Sequence, residues 1–328
     1  MCSCPAIRGR PAAKHFTDEA IMKISIVGAG AMGSLFGGLL AESGNEVTLI
    51  DVNDAHIGAI RAKGLRLATD GGDRQVTVLK ALRPEDAADL PDLLLVFTKT
   101  LHTSAALSGV RHLIGPNVHV LSLQNGLGNV EKIAGFASPE RILIGVTTWP
   151  ADMVGPGHVH SHGKGVVRLM AADGIERPFV SQVSEVLTEA GLDCTSDRTV
   201  WAAIWEKVAF NAALNSICAV SGCTVDELGK VADGSRLAND VVTEVLSVAL
   251  RMGIDVDPAK CRANVASAIA QHIGHKPSML QDILAGRRTE VESINGAVVA
   301  AAGRLSIELP VTETLLSLVR LAEVRAIA

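Results

Sequence analysis

The chain has 328 residues, 48% of them hydrophobic and 20% charged, and its 30 Lys and Arg against 35 Asp and Glu give a formal net charge of -5. That length leaves room for about two domain cores, and no apolar run is long enough to span a bilayer. Without a Lys/Arg cluster there is no electrostatic basis for nucleic-acid binding, so a small molecule is the expected partner.

Six cysteines, Cys2, Cys4, Cys194, Cys218, Cys223 and Cys261, form no C-x-x-C pair and are expected as reduced thiols in a cytoplasmic protein. Residues 1–21 carry Arg8, Arg10 and Lys14 but no apolar stretch of signal-peptide type, and are expected to form a disordered extension. A dinucleotide-binding domain is expected over 22–196 and a helical substrate domain over 197–328.

The β-branched run Lys23–Val27 predicts a strand, broken by Gly28-Ala29-Gly30-Ala31-Met32-Gly33 before a helix over 34–40. That order suits a Rossmann-type turn. Gly28 permits the tight turn, Gly30 clears a path for a pyrophosphate and Gly33 lets helix approach strand, while the helix N-terminus, with Ala31 and Met32, faces the phosphates. A second strand over 46–50 ends on Asp51, placed to accept hydrogen bonds from an adenosine ribose and to repel a 2′-phosphate. Asp51 therefore favours NAD(H); the alternative is that it merely caps a helix over 53–62, a role Asn53 or Asp54 could fill as easily.

A hairpin is predicted over 64–79 around Thr69-Asp70-Gly71-Gly72-Asp73. The apolar run 93–97 reads as a strand buried on both faces, and it ends at Thr98-Lys99-Thr100. A strand over 118–123 leads into Gln124-Asn125-Gly126. Ligands of open α/β sheets lie at such carboxyl ends, which makes Lys99 and Asn125 candidate site residues. A strand over 142–148 follows, then antiparallel edge strands over 157–169. His158, His160 and His162 alternate there on one face, and a solvated strand face is preferred to a metal site. A helix over 176–190 and a short strand over 193–196 complete this half.

From residue 197 only helices are predicted, over 199–220, 226–252, 258–274, 277–305 and 308–325. In the largely apolar first of these, Lys207, Asn211 and Asn215 stand at i, i+4 and i+8 and form one polar stripe. Buried amides and a buried Lys are unfavourable unless they face a polar ligand or one another; a ligand is the economical explanation, the alternative being a snorkelling Lys with two capping amides. Ser278 and Asp282 share a face of a later helix, and periodicity alone makes Glu290 an ordinary surface acid.

Taken together, the glycine turn, Thr98-Lys99, Gln124-Asn125-Gly126, Trp205-x-Lys207-x-x-x-Asn211-x-x-x-Asn215, Ser278-Met-Leu-Gln-Asp282 and Thr289-Glu290-x-x-x-Ile-Asn-Gly296 resemble the ketopantoate reductase (2-dehydropantoate 2-reductase) family from Met22 onward. The resemblance implies an α/β fold, a Rossmann-type domain followed by an all-α domain, and nicotinamide-dependent reduction of a 2-keto acid to a 2-hydroxy acid. It implies Lys207 as general acid assisted by Glu290, cofactor and substrate contacts from Lys99 and Asn125, and substrate contacts from Asn211, Asn215 and Ser278. It favours NADP(H), so the cofactor stays open between NAD(H) and NADP(H), and a homodimer is expected. Two departures stand out. Asp51-Val52 replaces the Arg common after the second strand, and Thr224-Val225-Asp226-Glu227-Leu228 replaces an Asn-Gly-Glu-Leu run. These leave open an NAD-dependent dehydrogenase of another 2-hydroxy or polyhydroxy acid. A dehydrogenase of the 3-hydroxyisobutyrate or 6-phosphogluconate type would share the glycine turn but not the Lys207 stripe, and a protein that only senses NAD(P) would have no use for Lys207 and Glu290.

Overall fold

A computed structural model describes residues 21–327. The expected extension therefore lies, but for Ile21, outside the described residues, as do Cys2 and Cys4. The first half runs β1 (Lys23–Val27), α1 (Ala31–Glu42), β2 (Glu46–Ile50), α2 (Asp54–Lys63), β3 (Leu65–Thr69), β4 (Gly72–Val76), β5 (Lys80–Leu82) and β6 (Leu93–Val96). It continues with α3 (Thr103–Gly109), β7 (His119–Ser122), α4 (Asn129–Ile133), β8 (Ile142–Thr147), β9 (Asp152–Gly155), β10 (His158–His160), β11 (Val167–Ala171), α5 (Pro178–Glu189) and β12 (Cys194–Ser196). Eight of these strands form one sheet in the order β12-β11-β8-β7-β6-β1-β2-β5. Neighbours from β5 to β8 are parallel, whereas β11 runs antiparallel to β8. Chain connections reverse direction between β1 and β6, which opens the crevice where open α/β sheets bind ligands.

Apolar residues explain this layer directly. All four residues of β6 are buried, as a strand covered on both faces requires. A smaller sheet, β4-β3-β10-β9, packs beside it. Here β10 is an inner strand between β3 and β9 rather than an edge, and His162 falls beyond its end, with Nδ1 2.7 Å from Asp70 Oδ1. The three-residue β5, too short to leave a pattern in the sequence, extends the large sheet by pairing with β2.

The second half is helical: α6 (Val200–Ser221), α7 (Ala232–Arg251), α8 (Pro258–Gln271), α9 (Ser278–Leu284), α10 (Ala297–Leu305) and α11 (Pro310–Ile327). Two predicted helices are broken. The one expected over 226–252 begins instead as a 3-10 turn, Asp226–Lys230, and Val231 is extended before α7 starts. The one expected over 277–305 stops at Leu284, passes Gly286 at φ 63, and resumes through a π turn at Glu292–Gly296. A left-handed glycine just past a helix end is a common stop, and that stop takes Glu290 off any helix.

Two apolar cores result, one assembled between Met22 and Val200, the other between Trp205 and Val319. Ile204 packs against both, so α6 is the element that joins them. Cys194, Cys218, Cys223 and Cys261 are free thiols. No helix among the described residues is long and apolar enough to cross a membrane.

Candidate active site

The glycine turn is built for close approach. Gly28 has φ 97, and a Cβ there would lie 2.6 Å from Thr98 N on the neighbouring strand end. At Gly33 a Cβ would sit 2.0 Å from Gly28 O, so only glycine lets α1 fold back on β1. Gly30 is exposed and a Cβ there would meet nothing within 4 Å, and α1 has no side-chain cap, leaving its first amides open toward that space. These are the features a bound pyrophosphate requires, and the turn fits a dinucleotide.

Asp51 closes the far end of this turn. Its Oδ2 accepts from Ala29 N at 2.7 Å and its Oδ1 from Asn53 N at 2.9 Å, while the α2 cap role falls to Asn53, whose side chain accepts from His56 N. His56 itself, on α2, was hidden in the sequence as one polar residue of a short helix. It is buried, its Nδ1 accepts from Gly157 N at 3.0 Å, and its Nε2 therefore holds the proton facing Ser34 Oγ at 3.1 Å. Ser34 in turn donates to Ala29 O, and burial lowers the His56 pKa.

Across the crevice, α6 presents the polar stripe. Lys207 Nζ donates to Thr147 O at the end of β8, 2.7 Å away. The Lys207 stem keeps some surface in the cleft, but protein atoms crowd its ammonium. That desolvation brings its pKa from 10.5 down to about 8, against an opposing pull from the Glu290 charge. Asn211 and Asn215 are buried to 9% and 6% exposure, yet neither amide finds a hydrogen-bond partner among the described residues. Polar groups placed so are normally matched by a ligand or water.

Glu290 joins the two halves. Its Oε1 accepts from Thr100 N at 3.1 Å and its Oε2 from Asn125 Nδ2 at 3.5 Å, and Thr100 Oγ1 donates to Asn125 O at 2.9 Å. The π turn makes this possible by docking on Gly126, where Leu127 N donates to Ser293 O at 2.8 Å and a Cβ on Gly126 would lie 2.4 Å from that same oxygen. Lys132 on α4 supports Thr100 from behind by donating to its carbonyl at 2.8 Å, and burial lowers its pKa. A lysine on a five-residue helix reads as surface charge, so no sequence signal singled it out.

Lys99 reaches across to α9. Its ammonium lies 2.7 Å from Asp282 Oδ2 and donates to Arg288 O at 3.1 Å, which leaves one of its three donors for a ligand. Asp282, buried, is also gripped by Arg287. Its sequence signal was a lone acid inside Ser278-Met-Leu-Gln-Asp-Ile-Leu. Ser278 is exposed at the first turn of α9. Thr224, at the position of the second sequence departure, donates its hydroxyl to Asp226 Oδ1 at 2.7 Å. The cleft thus assembles a partly desolvated ammonium, a carboxylate near it, unpartnered amides and an open helix N-terminus.

Comparison with known proteins matches this arrangement to one family. The chain is 34% identical over 304 residues to the 2-dehydropantoate 2-reductase of Streptococcus pyogenes serotype M3 (strain ATCC BAA-595 / MGAS315), covering 92% of this chain and 98% of that one. Among solved structures, D-mandelate dehydrogenase in a ternary complex with NADH and anilino(oxo)acetate superposes with a TM-score of 0.89 at 32% identity, covering 94% of this chain and all of that one. The 2-dehydropantoate 2-reductase of Geobacter metallireducens GS-15 does so with a TM-score of 0.86 at 30% identity, over 91% of this chain and 99% of that one. The family models for ketopantoate reductase PanE/ApbA and its C-terminal part match residues 24–174 and 199–323. The chain belongs to the ketopantoate reductase PanE/ApbA family.

Proposed function

We propose that this protein is a nicotinamide-dependent 2-dehydropantoate 2-reductase, interconverting 2-dehydropantoate and (R)-pantoate, with Lys207 as its general acid. The observation that carries this reading is Lys207 itself, an ammonium with its pKa lowered to about 8 in a cleft beside two unpartnered amides. A reduced nicotinamide, when bound, supplies a hydride. Reduction of a ketone develops negative charge on its oxygen, and Lys207 Nζ delivers a proton there, becoming neutral and recovering its proton from solvent after release. Thr147 O orients that ammonium, and Glu290 favours its charged form.

In this reading Asn211, Asn215 and Ser278 hold the hydroxy acid. Lys99 uses its remaining donor, and Asn125 its side chain, where substrate meets cofactor. Gly28, Gly30, Ala31, Met32 and Gly33 hold the pyrophosphate on the α1 N-terminus. We assign NAD(H) as cofactor because an acid at the tip of the second strand, here Asp51, suits ribose hydroxyls and repels a 2′-phosphate. We divide the chain into domains at 22–196 and 197–328, a reading supported by the presence of two apolar cores that share Ile204 of α6. A homodimer is supported by the apolar stripe that α11 leaves exposed, Leu318, Leu321 and Val324.

A second reading keeps fold and mechanism but changes the substrate to another 2-hydroxy acid. It is favoured by Thr224, whose hydroxyl is spent on Asp226, and by the likeness to an NADH-bound D-mandelate dehydrogenase. Purified full-length protein assayed with 2-dehydropantoate and other 2-keto acids, each with NADH and NADPH, separates the two. Absence of 2-dehydropantoate turnover with either cofactor overturns the first reading, and a higher kcat/KM on another 2-keto acid establishes the second.

A further inference from the structure

Glu290 stands on a segment with no regular structure of its own. The helix α9 ends at Leu284, Gly286 turns the chain at φ 63, and the π turn begins only at Glu292. Within this segment Thr289 is buried and Glu290 half-buried. A carboxylate that must meet Thr100 N and Asn125 Nδ2 in the other half of the molecule needs that short stretch of backbone fixed from behind. Side chains on irregular segments are placed less precisely than those on helices and strands unless their neighbours lock them.

The lock comes from α11. Thr312, Leu315, Leu316 and Val319 form its buried face, and Glu323 follows Val319 by one turn, at the edge of the same face. There the end of the helix runs close to the segment, and a Cβ on Gly286 would lie 3.1 Å from Ala326 O. Glu323 Oε1 accepts from Thr289 N at 2.7 Å and also from Thr289 Oγ1, which in turn accepts from Val291 N at 3.1 Å. The residues on either side of Glu290 are thus tied into one hydrogen-bonded chain that ends on a carboxylate 34 positions from Thr289. Bonds to an ionised acceptor are the shorter and stronger kind. One turn earlier Arg320 grips Glu292 at 2.6 and 2.7 Å, but that pair is exposed and holds a residue already in the π turn.

We propose that Glu323 is a positioning residue, holding Thr289 so that the Glu290 carboxylate stays against Thr100 and Asn125 while Lys207 delivers its proton. Its consequence for catalysis rests on the reductase reading, whereas its hold on Thr289 does not. The hydrogen bonds of Glu323 go to Thr289 alone among the described residues, so its effect passes through Glu290. Lys207 on α6 and Lys132 on α4 feel the Glu290 charge, while Arg320 on its own helix feels that of Glu323. Releasing Thr289 lets the Glu290 carboxylate move away from the cleft, which weakens its support of the Lys207 ammonium without removing it.

Full-length protein is compared with Glu323→Ala, which removes the acceptor, and Glu323→Gln, which keeps an oxygen for both Thr289 donors and removes the charge. In the pH profile of keto-acid reduction, Glu323→Ala is expected to lower the break in kcat/KM by about half a pH unit. It is expected to lower kcat several-fold with the KM for NADH little changed, and Glu323→Gln to restore the parent break. Added to Glu290→Gln, Glu323→Ala is expected to move the break no further. Hydrogen exchange followed by mass spectrometry gives a readout free of activity: Glu323→Ala is expected to speed exchange over 285–296 about ten-fold and to leave β6 and β7 unchanged. The positioning role is overturned by an unmoved break in Glu323→Ala where Glu290→Gln moves it, by a Glu323→Gln break as low as that of Glu323→Ala, or by a further fall in the double variant. Unchanged exchange over 285–296 overturns it as well. Absence of keto-acid turnover, or a break that Glu290→Gln leaves in place, overturns the reductase reading instead, and the exchange result then decides alone whether Glu323 holds the segment.

Discussion

Lys207 gives the sharpest test of the chemistry. Bringing its pKa from 10.5 to about 8 disfavours its charged form by roughly 3 kcal/mol relative to water. Reduction needs the charged form, so kcat/KM for the keto acid is expected to be level below about pH 7 and to fall close to ten-fold for each pH unit above about 8. Oxidation of the hydroxy acid needs the neutral form and is expected to rise over the same interval. Burial lowers this pKa and the Glu290 charge opposes that effect, so Glu290→Gln removes the opposition and moves the break downward, by about one pH unit or about 1.4 kcal/mol. The shift is modest because no direct Lys207–Glu290 ion pair forms among the described residues. Steady-state profiles from pH 6 to 10 in constant ionic strength, for both directions and both proteins, measure this. A reduction profile level to pH 10, or a break that Glu290→Gln leaves in place or raises, refutes the assignment.

Three further expectations follow from neighbouring residues. Lys132→Met removes the donor that holds the Thr100 carbonyl, loosening Glu290 and Asn125 together; kcat is expected to fall about ten-fold with the KM for NADH little changed, and Lys132→Arg to recover part of the loss in the same assay. His56 is neutral and hydrogen-bonded in the folded protein with its pKa lowered by burial, so its stabilising effect is present above the unfolded value near 6.5 and is lost as pH falls through its folded value. Urea midpoints at pH 7 and pH 5 are expected to separate in the parent chain and to converge in His56→Asn, which itself loses about 1–2 kcal/mol at pH 7. Asp51→Ser removes the carboxylate that accepts from Ala29 N, and the ratio of kcat/KM for NADH over NADPH is expected to drop at least ten-fold; an unchanged ratio dismisses Asp51 as the discriminating group.

Much of the first half was legible because its elements depend on local pattern. β6 is an uninterrupted apolar run, the glycine turn specifies its own geometry through Gly28 and Gly33, and α6 shows its stripe at helical spacing. Lys99 and Asn125 were legible from position alone, at the ends of β6 and β7. What stayed hidden depends on contacts distant in sequence. Asp282 matters because Lys99, 183 positions earlier, reaches it, and Lys132 matters because Thr100 is its partner. His56 looked like any polar residue on α2 until Gly157 supplied its donor.

The missed helix break around Glu290 has the same cause and explains more than an error of boundary. Apolar periodicity across 277–305 predicts one continuous helix, and such a helix would leave Glu290 on its surface. Gly286 permits the chain to leave the helix, but the π turn that follows is held by Leu127 N on Ser293 O and by the absence of a side chain on Gly126. Glu290 therefore reaches Thr100 and Asn125 only when the two cores are in contact. Lys207 on Thr147 O and Lys99 on Asp282 obey the same condition. The residues that join the cores are the residues assigned to the chemistry, so loosening the seam at any of these pairs should disturb proton transfer before it disturbs either core. This is where local rules are expected to fail, since a segment shaped by its partner rather than by its own propensity is what a site built between two domains requires.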